Sequence, residues 1–152
     1  MNKVSITKEF TWDMAHMLAG HEGLCKNLHG HSYKMQVEVG SADSGMNDNL
    51  NNGMIIDFKD LKEIVKKEIV NPLDHSFVYW DKSPDKIEYQ IAQLLMDSGR
   101  KVVGVQYRPT AEEMVFDFYN RLMTEFMKYN IKLLSIKLWE TETSFAEIRG
   151  EY

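Results

Sequence analysis

Hydrophobic and polar residues alternate over 4–16, VSITKEFTWDMAH, where Ile6, Phe10, Trp12, Met14 and His16 share one parity and Lys8 interrupts it. A period of two places such residues on one face of a strand. Residues 31–39, HSYKMQVEV, alternate in the same way, with His31, Tyr33, Met35, Val37 and Val39 on one face. The pattern then lapses into SADSGMNDNLNNG, a stretch of Asn, Asp, Ser and Gly that reads as a mobile loop.

From MIIDF onward the period lengthens. Leu61, Ile64, Val65 and Ile69 follow at helical spacing behind Asp57, a suitable N-cap, and Asn71-Pro72 is expected to end that helix. A second helix is expected over 83–98, with Ser83 as cap, Pro84 in the first turn, an apolar stripe of Ile87, Ile91, Leu94 and Leu95, and Gly99 as the stop. KVVGVQY then reads as a short strand or an extended connection. In RPTAEEMVFDFYNRLMTEFMKY, Thr110 and Glu113 make a capping-box pattern. Met114, Val115, Phe118, Leu122, Met123 and Phe126 line one face of the helix that follows. KLLSIKLWETET and SFAEIRG read as two strands joined by a short turn. Strands gathered at both ends of the chain, with helices between them, predict an α+β fold: an antiparallel sheet with helices on one face. The open sheet edges invite pairing with further subunits.

Length and composition narrow the class. A chain of 152 residues with no repeat, low-complexity tract or long linker predicts one domain, 1–152, into which the helix near 83–98 is inserted. A net charge of −5 argues against a broad nucleic-acid-binding or anionic-membrane surface. No apolar run approaches the ~18 residues of a membrane span. MNKVSITKEF lacks a signal-peptide pattern, and the lone Cys25 excludes an intramolecular disulfide. Together these features predict a cytoplasmic protein. The ten methionines read as core filling.

The chemistry is concentrated in CKNLHGHSY, which opens at Cys25. His29 and His31 are two apart and leave the same face of a strand, with Gly30 between them. His16 ends the first strand. If the two strands form a hairpin, the three imidazoles converge into an open zinc site whose fourth position is left for water or substrate. His21 reads as a solvated loop residue. Cys25 is either a small buried hydrophobe or, beside Lys26 and a metal, a thiolate that ligates, attacks an electrophile or takes a proton. Asp74 beside His75 is a turn feature or, where the backbone turns, a carboxylate orienting an imidazole in a proton relay. Glu140, inside an otherwise apolar strand, is a surface or salt-bridged group, or an anchor for a guanidine-like edge.

FTWDMAH, CKNLHGHSY, GMIIDFKDLK, LDH, PTAEE and WETETSF stand in an order that resembles the 6-pyruvoyltetrahydropterin synthase / 6-carboxytetrahydropterin synthase superfamily, over about residues 4–150. The resemblance implies the tunnelling fold: a four-stranded antiparallel sheet with two main helices on one face, closed into a barrel by a homotrimer or homohexamer. It implies Zn2+ held by His16, His29 and His31, and Cys25 as catalytic base or nucleophile. Asp74 and His75 become the relay partners of Cys25 and Glu140 the pterin anchor, while Thr110 and Glu112 line the pterin pocket. The sites are implied to lie between subunits. Three residues separate Cys25 from the H-G-H, which looks like the 6-carboxytetrahydropterin synthases of the queuosine and 7-deazaguanine pathway; pyruvoyl-forming members usually have five. The implied substrate is 7,8-dihydroneopterin triphosphate and the implied products are 6-carboxy-5,6,7,8-tetrahydropterin, acetaldehyde and triphosphate. The 76–108 stretch is longer than in compact members.

Overall fold

A computed structural model describes residues 4–42 and 53–151. The Asn- and Gly-rich segment expected to be a mobile loop lies largely outside them, at 43–52. The two alternating stretches form β1 (Ser5–His16) and β2 (His29–Ser41), paired antiparallel from Ser5↔Gly40 to His16↔His29. That register is dictated by burial: it sets Trp12 opposite Tyr33 and Phe10 opposite Met35, so both apolar parities share one face. A slip of one residue would turn either row to the wrong side.

The first helix, α1 (Phe58–Val65), begins at Asp57, whose side chain accepts the Lys59 N–H at 2.7 Å. It does not stop at Asn71. It continues through a π-type turn, Lys66–Val70, into a last turn, α2 (Asn71–Leu73). The Asn71 N–H reaches back to the Lys66 carbonyl, five residues away. This wider loop absorbs the missing Pro72 N–H, which a regular helix could not. The chain then forms β3 (Ser76–Trp80), α3 (Lys86–Asp97), β4 (Val102–Val105), α4 (Ala111–Met127), β5 (Ile131–Thr141) and β6 (Ser144–Arg149).

The sheet has six strands in the order β4-β3-β1-β2-β5-β6. The expected antiparallel set is present as β1, β2, β5 and β6, but β3 and β4 extend it in parallel beyond β1. β4 falls within KVVGVQY, expected as a short strand or an extended connection, while SFVYW carries no alternation to mark β3 as a strand.

α1 and α4 cover one face, where Leu61, Val65, Phe118, Leu122 and Phe126 meet Tyr33, Val37 and Leu138, each 1% exposed or less. Fully burying one such side chain is worth ~1.5–3 kcal/mol. Met123, expected on this face, is exposed. α3 lies on the other face. Val78 joins the α1–α4 core, whereas its neighbour Phe77, of opposite parity, packs with Met17, Ala92 and Leu95. The expected stripe on α3 is partly turned: Ile91 and Leu95 pack inward, but Ile87 and Leu94 are exposed, while Glu88 and Ala92 are buried. The rotation follows from Glu88, whose Oε1 accepts the Trp80 N–H at 3.0 Å and so holds the helix to the end of β3. The cap is Asp85, accepting from Ile87 N–H, so Ser83 and Pro84 precede the helix. Among the described residues no helix is long and apolar enough to cross a membrane.

Candidate metal centre

His16, His29 and His31 sit at one end of β1 and β2, on the face covered by α4. Register and parity place them: His16 pairs with His29, and His31 is one step along on the same side. Their ring centroids lie 4.6, 4.9 and 5.2 Å apart. Glu140 joins them from β5. The β5–β6 pairing slips between Trp139 and Thr141, leaving Glu140 as an extra residue at a β-bulge. Bulges of this kind re-aim a side chain. The ligand atoms of His16, His29, His31 and Glu140 all lie within 4.8 Å of one another.

The hydrogen bonds decide what these rings can accept. Nδ1 of His16 lies 2.7 Å from the Pro109 carbonyl, and Nδ1 of His29 lies 2.6 Å from the Asn27 carbonyl. A carbonyl cannot donate, so both Nδ1 atoms carry the proton and both neutral rings leave Nε2 bare. Those two Nε2 atoms face each other at 3.0 Å, lone pair towards lone pair. A shared cation removes the conflict. A proton on His16 is disfavoured, because burial, helped by the neighbouring imidazoles, lowers its pKa to about 4. Burial also lowers that of His31, against the pull of the Glu140 carboxylate.

Glu140 Oε1 lies 3.0 Å from His31 Nε2 and 4.0 Å from His16 Nε2. The shorter contact is off the ring nitrogen's axis, so buried His31 Nε2 has no hydrogen-bond partner. This is the geometry of ligands aimed at a common centre rather than at one another. With metal–ligand bonds of ~2.0–2.1 Å, tetrahedral neighbours stand about 3.3 Å apart. The observed contacts bracket that value. The described residues therefore fit a metal ion.

The other expected site residues are placed differently. Cys25 sits half-exposed in a 3-10 turn, Leu24–Lys26, and its carbonyl accepts the Leu18 N–H at 3.0 Å. It is outside the ligand group. So are Asp74 and His75, which are bonded to each other, Oδ1 to Nδ1, at 2.8 Å. The turn this requires is present: His75 has φ of 60°, in the left-handed region. It is pinned by its own N–H to the Asp13 carbonyl at 2.7 Å, while Asp13 N–H donates to Asp74 Oδ1 at 3.2 Å. Slight burial opposes ionisation of Asp74, but the Asp13 N–H, the His75 ring and the Lys101 charge outweigh it and hold the carboxyl below its ordinary range. His75 opens onto a groove of about 610 Å³, floored by the strand around His31 and edged by Phe77, Leu95, Arg100 and Lys101. His21 is exposed, as expected, and its Nδ1 accepts the Gly23 N–H.

Thr110 caps α4, its hydroxyl accepting the Glu113 N–H at 3.3 Å. Glu112 lines a cavity of about 620 Å³ with Val115, Phe116, Phe145 and Glu140. Glu140 thus faces both the imidazoles and the cavity. Sequence reading missed its place beside the imidazoles, although its parity with buried Leu138 pointed to that face. It also missed the Pro109 and Asn27 carbonyls that set the tautomers, for which a sequence has no signature.

The geometry can be set beside known proteins. The 6-pyruvoyl tetrahydropterin synthase family model matches residues 5–151. The chain is 49% identical over 142 residues to a 6-carboxy-5,6,7,8-tetrahydropterin synthase of Haemophilus influenzae, covering 93% of this chain and 96% of that one. In structure it is similar to a protein from Wolinella succinogenes, with TM-score 0.79, 22% identity and coverage of 99% of this chain and 100% of that chain. It is also similar to 6-pyruvoyl tetrahydropterin synthase from Plasmodium vivax, with TM-score 0.70, 18% identity and full coverage of both chains (100% each). These two likenesses concern the fold alone. A family match across nearly the whole chain, joined to a relative sharing half its residues, settles descent: the chain belongs to the 6-pyruvoyl tetrahydropterin synthase family.

Proposed function

We propose that this protein converts 7,8-dihydroneopterin triphosphate and water into 6-carboxy-5,6,7,8-tetrahydropterin, acetaldehyde and triphosphate, in queuosine or 7-deazaguanine biosynthesis. One observation carries the metal-dependent part: a buried imidazole, His16, and a partly buried one, His29, each fixed as the Nδ1–H tautomer, present bare nitrogens to one point beside a pterin-sized cavity. The name of the Haemophilus relative and the three-residue interval between Cys25 and His29 support the carboxy-forming branch.

In this reading His16, His29 and His31 hold a zinc ion. When bound, zinc would supply Lewis acidity that acidifies a C–H of the substrate side chain. The Cys25 thiolate takes that proton, and His75, oriented by Asp74, returns one on the other side. Glu112 and Glu140 accept the N–H edge of the pterin, with Thr110 framing the pocket wall. The sites are completed between neighbouring subunits of a homo-oligomer, a reading supported by the open sheet edges at β4 and β6. The chain acts as one domain in the cytoplasm. The test is product analysis: zinc-loaded protein with 7,8-dihydroneopterin triphosphate should release one acetaldehyde per carboxypterin formed. A 6-pyruvoyl product without acetaldehyde would move the chain to the other branch.

A further inference from the structure

We propose that Glu140 is a displaceable fourth ligand: without substrate its carboxylate closes the metal's remaining position, and substrate gains that position as the carboxylate turns into the cavity. The proposal rests on the metal reading above and adds to it a resting state and a gate.

The geometry requires Glu140 to serve two places. Its Oε1 is 3.0 Å from His31 Nε2 and 4.0 Å from His16 Nε2, so it completes a four-atom group with the imidazoles. The same side chain lines the cavity alongside Glu112 and is 24% exposed on that side. Glu140 shares the face of buried Leu138, and the β-bulge leaves it without a register partner on β6, so its backbone is not tied on that side. Charge favours the closed state: three neutral imidazoles leave a divalent ion uncompensated in a partly buried site, and one carboxylate halves that charge. A hydrogen-bonding edge arriving in the cavity offers the carboxylate a second partner. Carboxylate release and substrate coordination then become one exchange. A fourth ligand from Cys25 would have no such partner, and Cys25 lies outside the group.

The test uses metal-stripped full-length protein reloaded with Co(II), whose visible spectrum reports coordination, in wild type, Glu140→Gln and Glu140→Ala. Azide serves as the probe for an open position. Competition against a chelator should show both variants holding Zn(II) about tenfold more weakly or worse, since even lost outer-shell partners cost ~10–100-fold. Azide should bind the Co(II) form of Glu140→Ala at least tenfold more tightly than wild type, because its position is no longer occupied. Equal metal affinity and equal azide affinity in all three proteins would overturn the proposal while leaving the three-imidazole site intact. Failure of wild type to bind Co(II) at all, unchanged in His29→Ala, would instead remove the metal reading itself.

Discussion

His16 and His29 share one close contact, yet their replacement should have unequal consequences. His16 is fully buried, and its Nδ1–H is the partner of the Pro109 carbonyl. His16→Ala leaves that carbonyl without a donor in the interior, which costs ~1–3 kcal/mol, and opens a cavity against Tyr33. The total is about 2–4 kcal/mol. For a chain of this length each kcal/mol moves the midpoint by about 2–4 °C, so metal-free His16→Ala should melt roughly 5–15 °C below wild type. His29→Ala frees the carbonyl of Asn27, a solvent-accessible contact that water can replace, so metal-free His29→Ala should lie within a few degrees of wild type. Both variants relieve the facing lone pairs equally, because the 3.0 Å contact is common to them, so the difference isolates burial. Scanning calorimetry at fixed protein concentration, with chelator and then with Zn(II), measures both effects. Wild type should gain the most stability from zinc, about 2.7 kcal/mol at a hundredfold excess over its dissociation constant, because each variant lacks one ligand. Equal destabilisation of the two metal-free variants, or a zinc-dependent rise in either as large as that of wild type, would refute the reasoning.

Cys25→Ala should keep full zinc and an unchanged melting point, because Cys25 is outside the ligand group, but lose at least ~10²-fold in turnover; steady-state acetaldehyde release checks it. Metal-free protein should lose stability as pH falls from about 6.5 to about 4. The buried His16 binds a proton less readily folded, with a pKa near 4, than unfolded, so the unfolded state takes up more protons in that window and stability rises with pH. A midpoint independent of pH across it, in urea titrations, contradicts this. Ala92→Asp should unseat α3 and destabilise by more than ~2 kcal/mol, whereas Leu94→Asp should stay within about 0.5 kcal/mol, as Ala92 is buried and Leu94 is 70% exposed.

The helix pair Ala92 and Leu94 marks where the sequence misleads. Ile87, Ile91, Leu94 and Leu95 make a good stripe by spacing alone, but the anchor of α3 is a buried carboxylate, Glu88, capping a strand end. Propensity and pattern give no sign that a charged residue will win the inner face. KVVGVQY was readable as a short strand or an extended connection and holds β4, whereas SFVYW gave no sign of β3, since its partners are parallel. By contrast β1 and β2 were readable residue by residue, because one face is buried and parity is strict. The same parity placed His16, His29 and His31 on one face, and the structure brings them together there. The Asp74–His75 contact was readable only as conditional on a turn, and the left-handed φ at His75 is that turn. What stayed hidden at the site was contributed by the Pro109 and Asn27 carbonyls, which a side-chain pattern does not encode.

The central claim is that three imidazoles of one chain bind a single metal ion through Nε2. Anomalous diffraction from zinc-loaded crystals, collected above and below the zinc edge, tests it directly. The account predicts one strong peak per chain, bonded at ~2.0–2.1 Å to Nε2 of His16, His29 and His31. A peak elsewhere, ligation through Nδ1, or no peak with rings still in contact would contradict it.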